Sequence, residues 1–468
     1  MLKSQNSNHL LMMIRTPAAV ILLLSILGVI QMNRIDIQKE VNPHFKSVWI
    51  SKKPYNILRG GRNSFKSSVI ALKLVFMMVG YIMTRRKANV VIIRKVANTI
   101  RDSVFLKIQW ALGKFFLLDQ FSCTVSPFKI THRKTGSTFY FYGQDDFQKL
   151  KSNDIGNIIA VWVEEAAEFN SAEEFDQMKA TFMRQKPVDA KQVQFFYSYN
   201  PPRNPYHWIN EWTNELEGHK DYLIHSSSYK DDALGFVTQQ MIDEINRIKE
   251  NDYDYYLYLY EGLPVGFQDN VYNVETFRKI VDLPSDDYVT AIFYSLDGGH
   301  AQSATTVLCL GLTAKQKVVL LDTYYYSPAG KSVKLAPSQL STEVHKFISK
   351  TLEDDRWKNA QVINRTIDSA EAALRNQYYL DYHIRWNPVA KKDKQTMIDF
   401  ATNLFAQGRF YYLDTESNKI FYEEHKHYRY KEGTADTDNP VVIKEDDHTC
   451  DAFEYFCVDN ASILGIAV

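Results

Sequence analysis

The sequence predicts an α/β protein with two domains, each built around its own β-sheet. Three observations lead to this prediction: a glycine-containing loop between an apolar strand and an apolar helix near residue 60, acidic residues directly after a buried strand near residue 164, and a second series of apolar strands from residue 288 onward.

Composition is ordinary for a well-packed protein. The 468 residues are 45% hydrophobic and 24% charged, and this length suits two or three domains. Since 55 basic residues balance 55 acidic ones, any contact with nucleic acid must come from local patches. No C-x-x-C pair or zinc-type His/Cys spacing occurs, so no structural zinc site is expected from the four cysteines, Cys123, Cys309, Cys450 and Cys457.

The N-terminus carries an apolar run at 17–30, preceded by Arg15, which resembles a signal peptide but lacks a small-residue cleavage site. The run is shorter than the roughly 20 residues that a membrane span needs. Met32 opens a polar segment typical of a natural start. We therefore predict that residues 1–31 are an upstream extension outside the fold, with a membrane anchor as the alternative.

The loop at 60–68 (GGRNSFKSS) follows the apolar residues 55–58 and matches the spacing G-x-x-x-x-G-K-[ST], except that Phe65 replaces the second glycine. In such a P-loop, backbone N–H groups and a helix N-terminus face the phosphates. Lys66 is expected at the β/γ-phosphates and Ser67 at a magnesium ion. The alternative is a basic turn ahead of an apolar helix. The predicted nucleotide-binding residues of the loop are Gly60, Gly61, Arg62, Asn63, Ser64, Lys66, Ser67 and Ser68.

Downstream of the loop, a helix at 67–79 and strands at 89–93 and 157–163 predict a P-loop ATPase domain with a parallel-rich sheet. The strand at 157–163 ends in Glu164 and Glu165. Carboxylates at this position hold magnesium and polarise the attacking water in ATPases, and we assign Glu164 to the metal and Glu165 to the water. An acidic helix start after a strand is the alternative.

A third strand, 192–199, ends in Asn200, which we expect to sense the γ-phosphate. Its alternative is a plain Asn-Pro turn. Three arginines, Arg62, Arg94 and Arg101, are candidates to meet the charge of the transition state, and the sequence does not rank them.

The second domain begins after irregular residues rich in glycine and proline. We predict a first domain at 32–265, a linker at 266–287 and a second domain at 288–468. Strands at 288–296, 305–312 and 317–326 form the meander that opens an RNase H-like fold.

Acidic residues lie at the ends of elements in this second domain. Asp297 ends the first strand, Asp368 follows a strand at 361–367, and His448 and Asp451 share one face of the last helix. Two divalent cations about 4 Å apart stabilise the attacking water and the leaving oxygen of a phosphodiester. Magnesium and manganese prefer carboxylate oxygen, so the three aspartates are predicted ligands and His448 an extra ligand or proton carrier. Singly, each aspartate could be a cap.

A basic run at 391–394 (KKDK) precedes a predicted helix at 395–405. It is the best local candidate for a contact with DNA phosphates, and a solvated charge run is the alternative.

Together these motifs resemble the large terminase subunit of tailed bacteriophages, and within it the PBSX-type group carried by prophages. The resemblance runs from about Met32 to the C-terminus. Two positions depart from the family pattern: Phe65, and Glu454, where arginine is common and a surface position is expected. The residues that carry the resemblance are GGRNSFKSS, Glu164-Glu165-Ala166, Tyr199-Asn200-Pro201-Pro202, SLDGG at 295–299, Ile367 to Glu371, and His448 to Tyr455.

The resemblance implies an ATPase that uses ATP and Mg²⁺ to translocate double-stranded DNA into a procapsid, and a nuclease domain with two Mg²⁺ or Mn²⁺ ions that cuts concatemeric DNA. Implied partners are a small terminase subunit and the portal, with a ring of about five subunits in the bacterial host cytoplasm and no membrane. Two alternatives stay open: a host helicase or repair ATPase with an inactive nuclease-like domain, and a membrane-anchored scaffold with a degenerate nucleotide site.

Overall fold

The computed structural model describes residues 35–144, 155–266, 270–299, 303–328, 335–435, 437 and 440–466. The predicted N-terminal extension lies outside these residues. Contacts divide the chain into two compact units, Met1–Ile242 with Leu257–Val265, and Asp243–Tyr256 with Gly266–Val468. The division into domains stays a prediction, and each unit is described by itself.

The first unit contains an eight-stranded sheet. Its strands are β1 (Tyr55–Gly60), β2 (Asn89–Arg94), β3 (Phe121–Val125), β4 (Phe128–His132), β5 (Thr138–Gly143), β6 (Ile158–Glu164), β7 (Gln194–Tyr199) and β8 (Tyr222–Ser227). The strand order is β3-β4-β5-β2-β6-β7-β1-β8. Six strands, from β5 to β8 in that order, run parallel, and the β3-β4 hairpin is joined to them through an antiparallel pairing of β4 with β5. The parallel-rich sheet is therefore confirmed.

Helices cover both faces of this sheet, which explains why β2 and β6 are buried throughout and apolar except at their ends. The helices of this part of the chain are α1 (Ile37–Glu40), α2 (Lys46–Ile50), α3 (Lys66–Met83), α4 (Leu106–Lys114), α5 (Ala172–Phe182), α6 (Trp208–Glu215) and α7 (Gln239–Asn251). The boundary between the two units falls inside α7, after Ile242. Of the described helices, α3 alone has the length and apolar composition of a membrane span. It packs into the core beside the sheet, and core helices of soluble proteins share this composition.

The second unit contains a seven-stranded sheet. Its strands are β9 (Arg278–Ile280), β10 (Val289–Asp297), β11 (Thr305–Thr313), β12 (Val318–Tyr326), β13 (Gln361–Ile367), β14 (Asn387–Pro388) and β15 (Phe410–Leu413). The order is β14-β13-β10-β11-β12-β15-β9. The predicted meander is present, because β10, β11 and β12 pair antiparallel, and β13 joins β10 in parallel.

The helices of the second unit include α13, which packs across β10, β11 and β13 and carries the predicted His448 and Asp451. The set is α8 (Tyr253–Tyr256), α9 (Pro337–Leu352), α10 (Ala372–Tyr382), α11 (Lys394–Ala406), α12 (Lys419–His427), α13 (His448–Asp459) and α14 (Ala461–Leu464).

Part of the predicted linker at 266–287 belongs to this unit. Strand β9 pairs with β15 at the sheet edge, and Val271 and Tyr272 are buried in the core. Glycine, proline and serine mark the ends of short elements as well as linkers, so composition alone does not separate the two cases.

Candidate functional site

The P-loop connects β1 to α3, and its backbone has a left-handed residue directly before the helix. Phe65 has φ +66°, a conformation that glycine adopts without strain and that costs other residues about 1–2 kcal/mol. The Phe65 ring packs against the core cluster and meets Phe236 edge-to-face, with ring centroids 6.0 Å apart. Phe65 therefore takes a glycine-like backbone conformation, with its ring packed on neighbouring side chains.

Lys66 is buried at the centre of this loop. Its Nζ donates to the carbonyl oxygens of Gly60 (2.8 Å) and Gly61 (3.0 Å), to Ser64 Oγ (2.8 Å) and to Asn200 Oδ1 (2.9 Å). Burial lowers the pKa of Lys66 to about 8, against the opposing charges of the two glutamates after β6. The ammonium group thus joins the loop to the strand end that carries Asn200.

Glu164 lies opposite the start of α3. Ser67 Oγ donates to Glu164 Oε1 (2.7 Å), and Ser198 Oγ donates to Oε2. Burial, with the nearby charge of Glu165, raises the pKa of Glu164 to about 7. A buried carboxylate beside a hydroxyl is an oxygen donor set that fits Mg²⁺, whose charge would favour the ionised carboxylate.

These residues surround one cleft of about 210 Å³. It brings together most of the predicted nucleotide-site residues: Gly61, Arg62, Asn63, Ser64, Lys66, Ser67, Glu164, Glu165 and Asn200. Gly60 contributes its carbonyl oxygen to Lys66. Ser68 instead accepts from Lys107 Nζ (3.4 Å) and does not line the cleft.

Sequence reasoning missed Ser198 and Tyr199, which also line the cleft. Side chains two residues apart on a strand point to the same face. The predicted position of Asn200 in the nucleotide site therefore also places Ser198 on the side of the strand that faces this site. Trp162 Nε1 donates to Ser198 Oγ (2.8 Å), which fixes the hydroxyl that serves Glu164.

The three candidate arginines have different surroundings. Arg62 lines the cleft. Arg94 is buried, pairs with Glu168 (3.3 Å), and has an Nε with no hydrogen-bond partner among the described residues. Arg101 is exposed. Within the described part of this chain, Arg62 is therefore the one of the three that reaches the cleft.

The second group of predicted residues lies at the ends of β10 and β13 and in the first turn of α13. Asp297 Oδ2 is 2.9 Å from His448 Nδ1, and His448 Nε2 accepts the N–H of Ala304 (3.3 Å). Nδ1 therefore carries the proton and donates to Asp297. Burial raises the pKa of Asp297 despite this bond. Burial opposes a charge on His448, but the bond and the charge of Asp297 hold its pKa above the ordinary value.

Lysines neutralise the other two predicted aspartates. Asp368 Oδ2 accepts from Lys391 Nζ (2.7 Å) and from the Tyr455 hydroxyl (3.2 Å). Asp451 accepts from both Lys394 and Lys444, whose charges hold its pKa below the usual range in spite of burial.

The four predicted ligands lie near one another, since the charges of Asp368, Asp451 and His448 all act on Asp297. Lysines occupy two of the three aspartates, and the metal-ligand role of the set stays a prediction. In the part of the chain that the structure describes, no group of three or more His, Cys, Asp or Glu residues is placed to hold an ion. Asp297 and Asp368 offer buried carboxylate oxygens, which suit hard cations. A cation at Asp368 would have to displace the Lys391 ammonium group and would share the carboxylate with the Tyr455 hydroxyl. Asp451, held by two ammonium groups, fits a ligand role poorly.

Glu454 is not at the surface, so that expectation was wrong. It is fully buried and accepts from Lys394 Nζ (2.6 Å) and the Tyr272 hydroxyl (2.9 Å), and burial raises its pKa to about 7. Position 454 lies three residues after Asp451, and so shares the helix face that packs into the unit.

The basic run at 391–394 is also divided. Lys391 and Lys394 pair with carboxylates of this second group, whereas Lys392 is exposed. The run is therefore not a free patch of three lysines available to DNA.

Comparison with known proteins agrees with both halves of this architecture. A family model described as phage terminase large subunit matches residues 52–263, and one described as terminase RNAseH like domain matches residues 297–459. The chain belongs to the phage terminase large subunit family. The predicted resemblance and the α/β fold class, with an RNase H-like second part, are thus confirmed. Matches to terminase models in both halves disfavour the host helicase alternative.

Individual terminases show how far the similarity extends. The large terminase subunit of Bacillus phage SPP1 is 29% identical over 241 residues, 50% of this chain and 56% of the relative. The chain therefore spans little more than half the length of that relative. The PBSX phage terminase large subunit of Bacillus subtilis is 24% identical over 67% of this chain and 72% of its own length. A large terminase from a thermophilic bacteriophage shares the fold, with a TM-score of 0.70 at 17% identity, covering 90% of this chain and 99% of that one.

Proposed function

We propose that this terminase large subunit hydrolyses ATP in the cleft of its first unit to drive double-stranded DNA into a procapsid, and cleaves concatemeric DNA in its second unit. The observation that carries the motor assignment is the contact of Lys66 with Asn200 beside that of Ser67 with Glu164. The phosphate loop, the acidic strand end and the sensing residue thereby meet in one cleft.

In this proposal, the Lys66 ammonium group breaks its hydrogen bonds to the loop carbonyls and to Asn200 when nucleotide binds, and pairs with phosphate oxygens instead. Asn200 is then free to follow the state of the γ-phosphate, which couples hydrolysis to movement of β7. Glu165 orients the attacking water and accepts its proton. Magnesium, held by Ser67 and Glu164, would neutralise charge on the phosphates.

In the second unit, Asp297 and Asp368 would hold Mg²⁺ or Mn²⁺, which would supply charge stabilisation and an activated water. His448 keeps Asp297 in place through its Nδ1 proton. The proposal is that two such ions bind in this unit, as the pattern of carboxylates in the sequence predicts. Asp451 has a supporting role, because its charge is already balanced by Lys394 and Lys444.

Partners follow from the family. The proposed partners are double-stranded DNA, a small terminase subunit and the portal of the procapsid, in a ring of about five copies in the host cytoplasm. Arg62 is the best placed of the three candidate arginines to act in the cleft. The large terminase of the thermophilic bacteriophage has been solved with ATP-gamma-S and with ADP, which supports nucleotide use by this fold.

The motor assignment is tested by DNA-stimulated ATP hydrolysis of the purified full chain. Glu165→Gln should lose hydrolysis by about 10²-fold or more and still bind nucleotide. Glu173→Gln, an exposed change at the start of α5, is the matched control and should behave as wild type. Equal rates for wild type and Glu165→Gln would sink the assignment.

The nuclease assignment is tested by plasmid cleavage with manganese. Asp297→Ala and Asp368→Ala should abolish cleavage, and Asp355→Ala, which removes an exposed carboxylate of the same unit, should not. Cleavage that persists in both site variants would place the catalytic site elsewhere.

A further inference from the structure

We infer that the backbone of residues 259–262 is a support that positions the P-loop, with Gly262 as its positioning residue. The inference rests on the proposed function, since positioning matters only if the loop binds nucleotide. These residues lie far downstream of the loop in the sequence, and no motif marks them.

One hydrogen bond joins the support to the loop. The Arg62 N–H donates to the Leu259 carbonyl oxygen at 2.8 Å. Leu259 lies in the helical turn Leu257–Glu261, and carbonyls at the end of such a turn need partners from outside it. A P-loop works by aiming successive N–H groups at phosphate, so anchoring the Arg62 peptide sets the direction of the peptides that follow.

Glycine on both sides lets the two backbones touch. A Cβ at Gly61 would lie 2.1 Å from the Tyr260 carbonyl oxygen, and a Cβ at Gly262 would lie 2.5 Å from the Gly61 nitrogen. Neither clash is with the flexible end of a side chain. Gly262 also has φ +67°, so a side chain there is disfavoured twice, by conformation and by space.

The support is itself held in place. Leu259 and Tyr260 are buried, and the Tyr260 ring meets Tyr229 edge-to-face at 6.1 Å. Glu261 pairs with Lys230 at 2.5 Å, and the Leu263 N–H closes the turn on the Leu257 carbonyl oxygen at 3.1 Å. A fixed support transmits a clash to the loop instead of yielding to it.

Gly262→Ala is the direct perturbation. The added methyl must displace the Gly60-Gly61 peptide, and with it the carbonyls that hold Lys66, so nucleotide affinity is expected to fall about tenfold. Gly218→Ala is the matched control, because Gly218 has φ +79° in the same unit with nothing within 4 Å of an added Cβ. It bears the same backbone strain without the contact and should keep wild-type affinity.

The experiment titrates the full chain with a fluorescent ADP analogue and follows hydrogen exchange of nucleotide-free wild type at single-residue resolution. The inference predicts slow exchange of the Arg62 amide and about a tenfold rise in Kd for Gly262→Ala alone. Gly262→Ala should also unfold at the lower temperature of the two variants, because it bears the backbone clash as well as the strain. An Arg62 amide that exchanges at the rate of an unstructured peptide would overturn it, whether or not Gly262→Ala folds. So would equal Kd values for the two variants. A wild type that binds no nucleotide refutes the proposed function instead, and hydrogen exchange still decides the support.

Discussion

Replacing Phe65 separates the strain of a left-handed backbone from the packing of a ring. Phe65→Gly and Phe65→Ala both lose the ring and its contact with Phe236, but only alanine keeps a Cβ at φ +66°. Relief of that strain contributes about 1–2 kcal/mol to the glycine variant. The greater freedom of glycine in the unfolded chain costs about 0.5–1 kcal/mol. Glycine should therefore be the more stable variant, by about 0.75 kcal/mol at the midpoints of the two ranges, although both are less stable than wild type.

Differential scanning calorimetry without nucleotide measures this difference. For a unit of this size the glycine variant should unfold about 1–4 °C above the alanine variant. The control is Ala180→Gly at an exposed position of α5, where ordinary helical geometry reverses the sign and glycine costs about 1 kcal/mol. If Phe65→Ala is as stable as Phe65→Gly or more so, the left-handed assignment at position 65 is refuted.

Three further predictions concern charge and ligand binding. Because the folded pKa of Glu164 is raised to about 7, the stability contributed by its protonated form is complete below the ordinary value of 4.5 and is lost as pH rises through 7. In thermal melts from pH 5 to 8, the free energy of unfolding of Glu164→Gln relative to wild type should therefore rise by about 1–3 kcal/mol. Lys394→Met leaves two buried carboxylates without their shared cation and should cost about 3–5 kcal/mol in urea unfolding, whereas Lys391→Met, at the rim, should cost less than about 1 kcal/mol. A nucleotide at about 100 times its Kd should stabilise wild type by about 2.7 kcal/mol in a thermal shift assay and leave Lys66→Ala unchanged.

Local patterns predicted the elements that carry the sites. The spacing of the P-loop located the end of β1 and the start of α3 closely, because strand, loop and helix are neighbours in the chain. The meander of β10, β11 and β12 followed from apolar runs for the same reason.

Features that depend on distant partners were not predictable from these patterns. Ser198 matters through Glu164, which lies 34 residues earlier, and Asp451 is neutralised by Lys394, 57 residues away. Glu454 was expected at the surface because it is charged, yet the packing of α13 buries it and Lys394 balances its charge. Only the tertiary structure brings such pairs together.

The central claim is that one chain carries two independent chemical sites, and a crossed measurement tests it most directly. ATP hydrolysis with DNA and plasmid cleavage with manganese are measured on the same preparations of wild type, Glu165→Gln and Asp297→Ala. We predict that Glu165→Gln loses hydrolysis and keeps cleavage, whereas Asp297→Ala keeps hydrolysis and loses cleavage. Loss of both activities in either variant, or of neither in both, would contradict the claim.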